Sequence, residues 1–186
     1  MAKRISENIS PRRSASRAAI SVSSWFRDSR ITSVGNSDGT IRDPVALHRA
    51  FIASLRGRPE EARRFADEAI AIYRRQKWSP RQERWVQFGV ARAEACAGRV
   101  DEAIRDGKVA LDEALTRDSV SAFIMRLEYG QILVIGNRRE EALALLRESL
   151  AMPCWQGPAA IRFDPVWSRL KDDPRFEAIL KSAKPL

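Results

Sequence analysis

The sequence has few of the residues on which catalysis, metal binding and cross-linking most often depend. It contains one histidine, His48, and two cysteines, Cys96 and Cys154. A lone histidine without a cysteine or carboxylate cluster cannot form a zinc site of the usual type, so we predict no metal and no other cofactor. Nothing in the local sequence activates either thiol. We therefore interpret both cysteines as buried structural residues and His48 as a surface or packing residue.

Long apolar runs and phosphate-binding motifs are also lacking. No stretch of about eighteen apolar residues occurs, so we predict no membrane-spanning helix. Neither Lys3-Arg4 nor Arg12-Arg13 is followed by the apolar region of a secretion signal. No glycine-rich loop with a lysine is present. The sequence therefore predicts a protein that is not an enzyme, and its low cysteine content favours a reducing, cytoplasmic location.

Acidic residues are scarce at the start of the chain. Residues 1–42 hold eight basic and three acidic residues, a balance of +5, whereas residues 43–186 contribute the remaining +4 of the net charge of +9. A basic segment of this kind can bind nucleic acid or anionic lipid, although a solvated leader is the simpler interpretation. We predict a partly disordered leader over residues 1–42, with one possible short amphipathic helix, and a folded domain over residues 43–186.

One short turn occurs three times in the folded domain. Each copy has a glycine, which permits the left-handed conformation that ends a helix, and then acidic residues suited to the first turn of the next helix. The alanines that close the copies lie forty-one and thirty-nine positions apart, and the third copy has one extra residue. Self-similarity at this spacing predicts stacked helical hairpins. The copies are Gly57-Arg58-Pro59-Glu60-Glu61-Ala62, Gly98-Arg99-Val100-Asp101-Glu102-Ala103 and Gly136-Asn137-Arg138-Arg139-Glu140-Glu141-Ala142.

These turns resemble those of the tetratricopeptide (TPR) repeat. That family also has a small residue in the first helix of each hairpin, where this chain has Ala50, Ala91 and Gly130. Two features depart from the family: the spacing exceeds its usual 34 residues, and Gly107 stands where an aromatic residue is common. The resemblance implies an all-α fold, a short right-handed α-solenoid of about three TPR-like hairpins with a C-terminal capping helix.

Proline pairs mark where the helices begin. Asp43-Pro44 and Ser79-Pro80 each combine a capping residue with a proline suited to the first helical turn, and Asp118-Ser119 starts the third hairpin. Asp164-Pro165 and Asp173-Pro174 start two short elements near the end of the chain. Residues 162–180 resemble the closing segment of TPR tails in bacterial signalling proteins with kinase, cyclase-like or winged-helix domains. We expect the apolar residues of this segment to seal the open end of the stack.

The resemblance also implies a concave groove lined by the first helices, of the kind that holds extended peptides or partner helices. The lysines and asparagines that clamp a peptide carboxylate in some TPR proteins are absent there. We expect an apolar partner segment with an acidic or polar group, which Arg92 would meet without contributing to the core. The alternative is that packing covers these residues. The groove-lining positions are Leu47, Phe51, Ser54, Trp85, Phe88, Arg92, Ala95, Ile124, Leu127, Gln131 and Val134.

Three hypotheses for function follow from the sequence. The first is a non-catalytic scaffold that binds a protein or peptide partner, and the second is a nucleic-acid-binding protein that uses the basic leader. The third is a remnant or separated tail of a larger signalling enzyme. The 42 residues before the repeats are too few for a kinase or cyclase domain, so any enzymatic activity would have to come from another chain. The protein is expected to be a monomer whose first hairpin is covered by Ser14–Arg30, or a homodimer through that N-terminal end. The covering residues are Ala18, Val22, Trp25 and Phe26.

Overall fold

The structure, a computed structural model, describes residues 34–35, 41–116, 119–152 and 157–183, all within a unit that spans residues 32–186. The predictions for the Ser14–Arg30 segment, for most of the leader and for Cys154 lie outside the described residues.

Three helical hairpins make up most of the described chain. They are followed by α7, a 3-10 helix (Trp167–Leu170) and α8, and preceded by two antiparallel strands of two residues each. The all-α, TPR-like repeat fold is confirmed, and the short strands are an addition that the sequence did not predict. The elements are β1 (Val34–Gly35), β2 (Ile41–Arg42), α1 (Val45–Leu55), α2 (Pro59–Arg75), α3 (Pro80–Cys96), α4 (Val100–Leu115), α5 (Ser119–Ile135), α6 (Arg139–Leu150), α7 (Pro158–Phe163) and α8 (Pro174–Ser182).

Three of the predicted caps that the structure describes act as caps, and one does not. The Asp164 carboxylate accepts a hydrogen bond from the Val166 backbone N–H at 2.8 Å, just before the 3-10 helix. Ser79 and Gln82 form a reciprocal capping box at the start of α3, and the Asp173 carboxylate accepts a hydrogen bond from the Arg175 backbone N–H at 3.0 Å before α8. At α1 the N-cap is Pro44, with no side-chain capping bond. The prediction that Asp43 caps α1 is therefore wrong, because its carboxylate is bound by other side chains.

The third turn differs from the first two in which residue takes the left-handed conformation. Gly57 and Gly98 have φ angles of 66° and 83°, but in the third turn Asn137, with φ 60°, takes that place. Counted from these residues the alanine follows five positions later in every copy, so the third turn has no extra residue. Gly136 serves a different purpose, because a Cβ atom there would lie 2.7 Å from Val100 Cγ1.

The stack curves toward the first helix of each hairpin. Helix α1 lies against α3, and α3 lies against α5, whereas in the described chain no comparable contact joins α2 to α4 or α4 to α6. Ala50 and Ala91, on α1 and α3, have no exposed surface. Small buried side chains let these helices approach closely. The concave side is therefore lined by α1, α3 and α5.

The C-terminal helix covers the open end of the stack, as predicted. Helix α8 packs on α6, and its apolar residues Phe176, Ile179 and Leu180 are between 0% and 3% exposed. An exposed last repeat would leave this apolar face in water. The 3-10 helix before α8 has a different position, against α5.

The first prediction concerns Ala103, which starts the return helix of the second hairpin and is 0% exposed. Replacing Ala103 with leucine should lower the free energy of unfolding by about 1–3 kcal/mol, because no space exists for the larger side chain. Urea denaturation measures the change. Ala159→Leu, at an exposed position of α7, is the control and should change stability by less than about 0.5 kcal/mol. Equal stability of Ala103→Leu and the wild type would contradict the repeat register.

Candidate functional site

Several of the predicted groove residues belong to the core. Leu47, Phe88 and Leu127 occupy equivalent positions of α1, α3 and α5 and are 0%, 1% and 5% exposed. Ala95 and Val134 are each 4% exposed. These side chains fill the space between helices, so the expectation that they line an open groove does not hold.

Three apolar residues of the predicted groove remain partly accessible on the concave side. Phe51, Trp85 and Ile124 are half-buried and pack against the edge of the core. Trp85 and Ile124 lie 39 positions apart, which is one repeat, so they hold equivalent places on α3 and α5. They form the accessible apolar part of the concave face.

The chain's own C-terminal segment covers another part of this face. The Gln131 side-chain amide donates a hydrogen bond to Asp164 Oδ2 at 2.9 Å. Arg169 Nη2 donates to the backbone oxygen of Ser54 at 3.0 Å and to Ser54 Oγ at 3.2 Å. Residues 164–170 therefore reach from α5 to α1 on the concave side. At Gln131 and Ser54 the structure therefore agrees with the alternative, in which packing covers the predicted groove.

A glycine makes room for this segment. A Cβ atom on Gly130 would lie 2.5 Å from the Trp167 ring atom Cη2, so the indole of Trp167 packs directly on the backbone of α5. Trp167 is 2% exposed. The sequence predicted that this segment would seal the end of the stack, but not that it would enter the concave side.

Arg92 lies at the centre of a network of ionised side chains. Its guanidinium donates to both carboxylate oxygens of Asp43, at 2.8 and 2.7 Å, and its Nη1 lies 2.6 Å from Glu128 Oε2. The Tyr73 hydroxyl also donates to Asp43, at 2.7 Å. The Arg92 side chain is 12% exposed, and its carboxylate partners are each 23% exposed. The expectation that Arg92 is free for an acidic partner and makes no core contacts is therefore wrong.

The pKa values in this network are set by burial and by the charge of Arg92, which act in opposite directions on the carboxyl groups. Burial acts to raise the pKa of Asp43, but Arg92, Tyr73 and His48 together outweigh it and hold that pKa below its ordinary value. The pKa of Glu128 is raised, first by burial and then by Asp43 and Asp164, against the opposing effect of Arg92. The pKa of Asp164 is also raised, mainly by burial. Asp43 and Glu128 thus contact the guanidinium directly, whereas Asp164 binds Gln131 and interacts with Arg92 only through its charge.

The two residue types that could supply a nucleophile or base carry perturbed pKa values. Burial raises the pKa of the Cys96 thiol to about 12, despite the opposing charges of Arg92 and Arg169, so the thiol stays protonated near neutral pH. The pKa of His48 is lowered, mainly by burial. Within the described ranges, no group of three histidine, cysteine or carboxylate residues is placed to hold a metal ion, and no helix is long and apolar enough to cross a membrane.

Comparison with known proteins identifies one repeat. Residues 47–75, which comprise most of α1 and all of α2, match the family model of the tetratricopeptide repeat. No curated protein and no solved structure matches the chain. The fold is a TPR-like helical repeat. Such repeats are protein-interaction modules in general, whereas the resemblance to the tails of bacterial signalling proteins stays a prediction.

The second prediction tests whether Arg92 stabilises the fold. Arg92→Gln leaves Asp43 and Glu128 close together without their counter-charge. It should lower the free energy of unfolding by about 2–3 kcal/mol, somewhat less than for fully buried pairs, because both carboxylates keep some contact with water. Urea denaturation measures the loss. Arg147→Gln removes an exposed arginine of α6 and is the matched control. If Arg92→Gln and Arg147→Gln lowered the free energy of unfolding by the same small amount, the Arg92 network would not stabilise the fold.

The third prediction concerns pH. Because the pKa of Glu128 is raised in the folded protein, the folded state holds this proton more tightly than the unfolded chain does. The contribution of Glu128 to stability is therefore largest at acidic pH and is lost as pH rises through the raised pKa. Glu128→Gln should gain stability relative to the wild type as pH rises from about 4 to about 8. Thermal unfolding across that range measures the difference, and a difference that is constant or reversed would refute the assignment.

Proposed function

We propose that the protein is a non-catalytic protein-interaction module that binds a partner segment on the concave face. The match of residues 47–75 to the tetratricopeptide repeat supports an interaction module in general. The observation that carries the choice of surface is the half-buried pair Trp85 and Ile124, which repeat at equivalent positions on the side lined by first helices. Partly exposed aromatic side chains of this kind are common anchors in protein interfaces.

The charge of the concave face determines the chemistry of the partner in this proposal. Asp43 and Glu128 contact Arg92, and Asp164 and Arg169 lie on the same side, so the face has three carboxyl groups and two guanidinium groups. An acidic partner would meet net repulsion there. A segment with a lysine or arginine next to apolar residues would supply the missing positive charge, while its apolar residues contact Trp85 and Ile124.

The C-terminal segment sets the limits of the proposed surface. Residues 164–170 already occupy the positions that contact Gln131 and Ser54, and Trp167 and Leu170 are each 2% exposed as part of the core. Displacing them would expose that apolar surface to water at a large cost in stability. The partner is therefore proposed to lie beside this segment, along the N-terminal halves of α3 and α5, which hold Trp85 and Ile124.

The other hypotheses stay predictions. Nucleic-acid binding by the basic leader, and dimer formation through the N-terminal end, depend on residues outside the described ranges. A signalling role is proposed only by analogy with the resemblance noted in the sequence, and a cytoplasmic location only from the low cysteine content. The acidic concave face itself would repel a phosphate backbone.

The fourth prediction is the outcome of a selection from a phage-displayed library of random short peptides against the full-length protein. Selected peptides should carry lysine or arginine beside apolar residues. Synthetic copies should bind in fluorescence anisotropy measurements, and should bind more weakly to Trp85→Ala and to Glu128→Lys. Val109→Ala, at a residue of α4 that is 53% exposed and belongs to a second helix, is the control and should bind as the wild type does.

Thermal unfolding of each variant checks that a loss of binding is not a loss of fold. Failure of the library to enrich any sequence, enrichment of acidic peptides, or binding that is unaffected by Trp85→Ala would each reject the proposed surface.

A further inference from the structure

Glu94, near the end of α3, is a buried carboxylate without a partner. The residue is 9% exposed, and its Oε2 atom is buried with no hydrogen bond. None of the ion pairs in the described part of the chain includes it. Buried polar atoms in folded proteins are nearly always hydrogen-bonded, and a buried charge without a partner is strongly unfavourable. This carboxylate therefore needs an explanation other than packing.

The repeat shows that the fold itself does not require an acid at this place. The equivalent residues of the first and third hairpins are Ala53 and Leu133, which lie 41 positions before and 39 positions after Glu94. They are 3% and 2% exposed and belong to the apolar interior. An apolar residue thus occupies the equivalent position in both of the other hairpins. An apolar residue at this position would stabilise the fold. A glutamate there stabilises it only if a ligand binds to the carboxylate.

The Glu94 side chain lines a cavity of about 560 Å³ between α2, the end of α3 and the start of α4. The floor includes the apolar residues Ile70 and Ala71, and the rim includes Glu102. A second rim carboxylate, Asp67, is already paired with Arg99 at 2.9 Å. Arg74 also lines the cavity but forms no ion pair with Glu94.

The electrostatic environment of Glu94 favours the binding of a positive charge next to its carboxylate. Its pKa is raised, first by burial and then by repulsion from Asp106, and the charges of Arg99 and Arg74 only partly offset these effects. Ionised Glu94 is therefore less stable than it would be in water. A cation placed in the cavity would restore the balance.

We propose that this cavity binds an alkylammonium group, with the ammonium nitrogen hydrogen-bonded to the Glu94 carboxylate and the alkyl chain against Ile70 and Ala71. Glu102, at the rim, adds a second negative charge near the ammonium. A lysine side chain of a protein partner and a free alkyl diamine share this chemistry. The cavity faces α2 and α4, so the proposal does not depend on partner binding at the concave face.

Isothermal titration calorimetry of the full-length protein tests the site with two probes. N-acetyl-lysine methylamide represents a lysine side chain, and cadaverine represents a free alkyl diamine. At least one should bind saturably at one site, and Glu94→Gln should weaken that binding about tenfold or more, because it removes a charge-assisted hydrogen bond. Glu68→Gln, at an exposed position of α2, makes the same charge change outside the cavity and should bind as the wild type does.

Glu94→Ala separates binding from folding, because it installs the residue found at the equivalent position of the first hairpin. In the absence of ligand, its melting temperature should be higher than that of the wild type, while binding of both probes should be lost. A preference for one probe identifies the source of the alkylammonium group. If neither probe binds the wild type at millimolar concentration, or if Glu94→Gln binds as tightly as the wild type, the proposal is overturned.

Discussion

The guanidinium of Arg92 is the interaction on which the arrangement of the three hairpins depends. Arg92 lies on α3, and its partners lie just before α1 and on α5, so a single side chain joins all three hairpins. Asp43 also accepts the hydroxyl of Tyr73, which brings α2 into the same network. The network forms because small residues on the first helices let their backbones approach closely. The same geometry places three carboxyl groups and the guanidinium groups of Arg92 and Arg169 on the concave face.

The C-terminal segment turns this open stack into a unit whose two ends are connected. Arg169 binds Ser54 in the first hairpin, and Arg139, at the start of α6, donates to the backbone oxygen of Arg169 at 3.2 Å. Trp167 can pack on α5 only because Gly130 has no side chain. Function and stability therefore compete for the same surface: part of the concave face serves the fold, and the proposed binding surface is the part that remains.

Much of the fold could be predicted from the sequence, because the turn motif is local and recurs three times. The site could not, since its contacts join residues far apart in the chain: Arg169 and Ser54 are separated by 115 positions. Asp43 before a proline has the local pattern of a helix cap, and only the position of Arg92 on a neighbouring helix gives it another role. The position of Glu94 within the repeat, by contrast, could be identified from the sequence. Its equivalence to Ala53 and Leu133 can be read from the repeat spacing, but a polar residue near a helix end is usually interpreted as exposed.

The central claim is that Arg92 joins the three hairpins through the partly buried carboxyl groups of Asp43 and Glu128, and a carbon-13 NMR titration of the aspartate and glutamate carboxyl groups tests it most directly. The account predicts that Asp43 titrates below its ordinary pKa of 3.8, whereas Glu128 titrates above 4.5 and Asp164 above 3.8. An ordinary pKa for Asp43, or ordinary pKa values for both Glu128 and Asp164, would contradict it, because these carboxyl groups would then be in water rather than buried near Arg92.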